Sequence, residues 1–173
     1  MIFGWISKKH DSNNSNGKIK YKKTNRKEAS DEFVKDGEDM ANANRLDEAL
    51  KCFDDALEIN PQNDLAWGDK GLILDKQEKI EEALAAFSKA IAINPNNAIT
   101  WHNKGLTLLR SKKLRESIEC FDKAIEIREI YAKAWYNKGR ALSLLGEIAI
   151  SQNCFDKARK LDPLLYTKLK KMK

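Results

Sequence analysis

Histidine, cysteine and proline are all scarce in this 173-residue chain, at two, three and three. An odd, small set of cysteines excludes a closed disulfide framework and suits a reducing compartment. No apolar run approaches the roughly 20 residues that a membrane-spanning helix needs. Residues 1–6 are apolar, but Lys8 and Lys9 follow them instead of preceding them, and no small-residue cleavage site closes the stretch, unlike a secretory signal. The expectation is an intracellular, cytoplasmic protein. With only His10 and His102, no His-Glu-x-x-His pair and no glycine-rich phosphate loop, there is no catalytic constellation and no metal or cofactor site to propose.

An even spread of charge is also missing. The chain carries a formal net charge of +6, yet residues 1–29 hold eight bases against two acids and residues 164–173 hold four lysines and no acid, which leaves residues 30–163 at −4. A basic globular domain is excluded, since the ends set the sign.

A fixed period of 34 is present throughout that central stretch. Gly37, Gly71, Gly105 and Gly139 recur at this spacing, as do Phe53, Phe87, Phe121 and Phe155, and Ala56, Ala90, Ala124 and Ala158. Four residues before each glycine stands Phe33, Trp67, Trp101 or Trp135. Pro61, Pro95 and Pro163 close three of the units, with Glu129 in the remaining slot. Within a unit the steps are helical: Phe33, Gly37 and Met40 share one face of a first helix, A, and Leu46, Leu50, Phe53 and Leu57 share a face of a second, B. Polar residues such as Asn44 and Arg45 make the turn between them. Proline after helix B stops it, and helix B of the third unit, lacking that proline, is expected to end less sharply. Glycine on A and alanine on B remove bulk at the crossing. One hairpin cannot bury this apolar surface, so neighbours must stack.

These columns resemble the tetratricopeptide repeat, with units at 30–63, 64–97, 98–131 and 132–165. The resemblance implies an all-α fold, an α-solenoid of stacked helix-turn-helix hairpins wound as a right-handed superhelix. Departures occur before the glycine, where Asp36, Lys70, Lys104 and Lys138 stand in place of the usual leucine. Residues 166–173 read as a truncated fifth helix A whose lysines give the stack a soluble cap, with Leu169 and Met172 continuing the helical spacing. Cys52, Cys120 and Cys154 share one column with Ala86, the signature of a small semi-buried position and not of a redox or metal site.

The resemblance further implies a non-catalytic scaffold that binds a protein or extended peptide in a concave groove lined by helices A. Groove candidates carried over on the family's columns are Glu38, Leu65, Leu72, Ile99, His102, Asn103, Leu106, Lys133, Tyr136, Asn137 and Arg140. The surface is acidic in the first unit, apolar in the middle and basic in the fourth; whole units run −7, −2, +2 and +3. Such a gradient suits an oriented peptide with its basic end toward Glu38, and complementary ends could equally promote head-to-tail self-association. Some co-chaperone relatives clamp a C-terminal carboxylate with Lys and Asn, Asn, then Lys and Arg; only Asn103 and Lys133 match that set, so this clamp is not expected here. Residues 1–29 read as a flexible basic tail, offering a second reading as an electrostatic adaptor to nucleic acid or an anionic membrane.

Overall fold

The computed structural model describes residues 26–171, and the reading of a flexible basic tail therefore lies almost wholly outside the described residues. Its last four residues, 26–29, belong to a helix. Among the described residues helix is the one regular secondary structure, with the order α1 (Arg26–Asn42), α2 (Leu46–Ile59), α3 (Asp64–Lys76), α4 (Ile80–Ile93), α5 (Ala98–Arg110), α6 (Leu114–Ile127), α7 (Ala132–Leu144), α8 (Ile148–Leu161) and α9 (Pro163–Lys171). Odd-numbered helices from α1 to α7 are the A helices and even-numbered ones the B helices.

Each A helix closes in the same way. Asn44, Glu78 and Lys112 take φ of 59°, 61° and 60°, and Gly146 takes 85°. The next N–H, of Arg45, Lys79, Lys113 or Glu147, then bonds the carbonyl five residues back at 2.8 to 3.0 Å. That left-handed residue is the usual way to satisfy the last carbonyls of a helix and turn the chain. Asn63 and Asn97 cap α3 and α5 by accepting from backbone N–H groups, whereas Tyr131 before α7 makes no such bond. The α6 helix ends at Ile127 as abruptly as its counterparts, so the expected ragged end beside Glu129 is not found. Its cap residue Arg128 is extended like Asn60 and Asn94, and Trp135 Nε1–H fixes the following link by donating to the Glu129 carbonyl at 2.8 Å. Trp67 and Trp101 make the same bond to the carbonyls of Pro61 and Pro95.

Within each hairpin the Phe of helix B lies on the Gly of helix A. A Cβ added to Gly37, Gly71, Gly105 or Gly139 would stand 2.5 to 2.8 Å from the phenylalanine ring, so glycine here serves close approach. Phe53, Phe87 and Phe121 are at most 1% exposed and the alanine column is fully covered. The column of Lys70, Lys104 and Lys138 reaches outward to helix B of the previous hairpin: Lys70 and Lys138 pair with Asp54 and Asp122 at 2.5 Å, and Lys104 donates to Ser88 Oγ. At the end of the stack α9 begins at Pro163, three residues earlier than a cap starting at 166, with Asp162 accepting from the Leu165 N–H. Tyr166 covers Tyr136 and Phe155.

Candidate functional site

Curvature follows from which helices touch. Consecutive A helices are in contact, α1 with α3, α3 with α5 and α5 with α7, whereas no two B helices are. The array is therefore narrower along its A side, which makes that side concave. Residues 31, 65, 99 and 133 begin this face and are all exposed; Leu65 and Ile99 are 55% and 49% exposed although large and apolar. Leu72 and Leu106, each seven residues or about two helical turns after Leu65 and Ile99, are half-buried. Glu38 on α1 and Lys133 and Arg140 on α7 are exposed at the two ends. The apolar middle is thus framed by an acid on one side and bases on the other.

Three of the expected groove residues lie below the surface: His102, Tyr136 and Asn137. His102 and Tyr136 occupy a column that points at the crossing of helix A with its own B helix and the next hairpin. His102 stacks at 5.0 Å from Tyr131 and 5.8 Å from Phe121, and Tyr136 lies 5.4 Å from Phe155. A partner resting on the groove meets none of their rings, so their part is to shape its floor. The same column holds Gly68 on α3, which leaves the groove open there.

His102, Asn103, Asn137 and Arg140 are nevertheless joined. Arg140 donates to Asn137 Oδ1 at 3.2 Å, Asn137 Nδ2 donates to His102 Nε2 at 3.1 Å, and His102 Nδ1 faces Asn103 Oδ1 at 3.3 Å. Since Nε2 accepts, the ring proton sits on Nδ1 and is given to Asn103. Burial pushes the His102 pKa down to about 4, with Lys133 adding to the effect and the Asn103 bond opposing it. The imidazole is therefore neutral near pH 7.

The acidic end is built differently. Between α1 and α3 opens a cavity of about 330 Å³ bounded by Glu38, Asn42, Phe53, Asp69, Leu72 and Lys76 among others. Burial, and then the charge of Glu38, push the Asp69 carboxyl up to about 6. Asp69 was not singled out from the sequence. The signal was available, because the column of Lys35, Asp69, Asn103 and Asn137 places one acid beside Glu38 of the preceding helix.

The three cysteines lie on the B helices α2, α6 and α8, away from this face. Cys52 is half-buried and Cys120 and Cys154 are buried, all three free; burial raises each thiol, Cys120 to about 11, away from the reactive thiolate. Among the described residues no three metal-ligating side chains are placed to hold an ion, and no helix is long and apolar enough to cross a membrane. A second exposed apolar group, Leu144, Ile148 and Ile150, surrounds the turn from α7 to α8.

Hairpins of this kind, stacked with one concave A face, define an α-solenoid of helical repeats. Sequence profiles of the tetratricopeptide repeat match residues 41–63, 65–97 and 96–162, and the chain belongs to that family. Among solved structures it is similar to pilF of Pseudomonas aeruginosa, with a TM-score of 0.76 and 22% identity over 80% of this chain. The chain spans 63% of the length of that structure. MamA of Desulfovibrio magneticus RS-1 gives a TM-score of 0.71 and 22% identity, covering 78% of this chain and 76% of that one. The first repeat domain of Spaghetti (RPAP3), solved with the HSP90 peptide SRMEEVD, gives 0.68 and 16%, covering 69% and 95%. At these identities the likeness is one of fold. Among curated proteins no relative matches by sequence.

Proposed function

We propose that this chain is a non-catalytic scaffold whose concave A-helix face holds an extended segment of a partner protein. The observation that carries the reading is the exposure of Leu65 and Ile99 on that face. Large apolar side chains left in water on a concave surface mark a place that another molecule covers. The framing charges, Glu38 at one end and Lys133 and Arg140 at the other, would orient the segment by favouring one direction of its own charge. Peptide binding on this fold, as in the RPAP3 complex, supports the class of ligand. The carboxylate clamp of the co-chaperones stays outside the proposal, because only Asn103 and Lys133 match its residue types and Asn103 accepts from His102.

The test is affinity capture with the full chain, its Leu65→Ser/Ile99→Ser variant and, as a control on α8, Ile150→Ser. Loss of the same partner from the groove variant alone, with helicity retained, supports the reading. Retention of every partner by that variant overturns it.

A further inference from the structure

Two groove acids meet different fates in this fold. The Asp75 carboxylate, on α3, is taken up by Thr107 at 2.8 Å and by the Arg110 guanidinium on α5. Asp69, one and a half turns earlier on the same helix, enters no side-chain hydrogen bond or ion pair among the described residues, and neither does Glu38 facing it from α1. Lys76 borders the same cavity without pairing with either carboxylate. Of the remaining walls Phe53, Leu72, Ile73 and Ala41 are apolar and Asn42 adds a neutral amide.

The repeats supply an internal comparison. Glu38 and Asp69 meet across α1 and α3, and the 34-residue period puts Leu72 with Asn103 and Leu106 with Asn137 at the equivalent positions of the next two steps. Two of the three steps hold a leucine and an amide. Only the first holds two carboxylates, and there a cavity with room for about ten waters stands open. A cavity whose lining combines Phe53, Leu72 and Ile73 with two carboxylates fits a side chain with an apolar stem and a charged tip.

We propose that the cavity between α1 and α3 is a subsite for a single lysine or arginine side chain of the bound segment, its stem against Phe53 and Leu72 and its cation between Glu38 and Asp69. The proposal rests on the groove reading above and adds to it the chemistry of one ligand residue. A half-buried, uncompensated carboxylate is costly, and a cation that enters relieves that cost. Asp69's raised titration, caused by burial and by Glu38, is what an acid awaiting its counter-charge shows.

The experiment uses the full chain on an array of random dodecapeptides, each also synthesised with its lysines and arginines replaced one at a time by methionine. The variants are Glu38→Gln/Asp69→Asn, which puts into the slot the amide that Asn103 and Asn137 already carry, and Leu65→Ser/Ile99→Ser. The expected result is that one basic residue per binding peptide dominates. Both its replacement by methionine and the Glu38→Gln/Asp69→Asn change would weaken binding about tenfold or more, the size of one charge-assisted hydrogen bond, and the two losses would not add. If peptides are lost with Leu65→Ser/Ile99→Ser but bind Glu38→Gln/Asp69→Asn unchanged, the subsite is wrong and the groove stands. If neither variant alters binding, both readings fall.

Discussion

Asn137 on α7 donates its side-chain amide to Nε2 of His102 on α5, at 3.1 Å and below the surface. One hydrogen bond thereby fixes the spacing of two groove helices and the tautomer of the imidazole. Protonating Nε2 would turn the acceptor into a donor facing a donor, and burial already holds the ring neutral.

Stability should therefore depend on His102 in acid. Its folded pKa of about 4 lies below the ordinary 6.5, so between these values the unfolded chain binds the extra proton and folding weakens as pH falls. The contribution reaches up to about 3 kcal/mol below the lower value. Urea unfolding of wild type and His102→Gln at pH 7.5 and pH 4.5 checks it: the variant's deficit at pH 7.5 should shrink or vanish at pH 4.5.

Asp69 works in the opposite sense. Its folded pKa, about 6 against an ordinary 3.8, means that the folded state holds the proton longer, so the cost of this carboxylate grows as pH rises from about 4 to 6 and is constant above. Asp69→Asn should be more stable than wild type by about 1–2 kcal/mol at pH 7.5, with the gain gone near pH 4. The same unfolding curves measure it. A gain that persists at pH 4 would point to packing instead of charge.

Two glycines on α3, three residues apart, should answer alanine with opposite signs. At Gly71 a new methyl would sit 2.7 Å from the buried Phe87 ring, whereas at Gly68 its nearest neighbour is Thr100 Oγ1 at 3.7 Å. Gly71→Ala should cost about 1–3 kcal/mol through overpacking. Gly68→Ala should gain about 0.5–1 kcal/mol by stiffening the unfolded chain. Thermal unfolding of the two variants separates them.

The turn column offers a similar pair. Lys112 holds φ of 60° and Gly146 holds 85° at equivalent positions. A side chain in this region costs about 1 kcal/mol relative to glycine. Lys112→Gly should raise the unfolding midpoint and Gly146→Ala should lower it.

The hairpins were legible in the sequence because glycine, phenylalanine and alanine at a 34-residue spacing each do one packing job, and the structure puts all three at the same crossing. Less legible was what lies under the groove. The column of Val34, Gly68, His102 and Tyr136 sits on the concave side, but its side chains turn inward onto Phe121 and Phe155, a direction that spacing does not encode. Glu129 in a proline slot looked like a weak stop; the tryptophan bond to the backbone of the link, repeated from Trp67 and Trp101, performs that function without proline. Asp69 could be placed next to Glu38 by counting, whereas its lack of a partner among the described residues depends on where Lys76 and Arg110 reach.

The central claim, that partners bind along the A-helix face, is tested most directly by site-specific photo-crosslinking in the native cell. A benzophenone amino acid is placed at Leu72 or Leu106 in the groove, or at Ile150 on α8, one at a time in the full chain. Covalent partner adducts from positions 72 and 106, and none from 150, are expected. Adducts from position 150 with none from the groove would contradict the claim and move the binding surface to the exposed apolar group around the turn from α7 to α8.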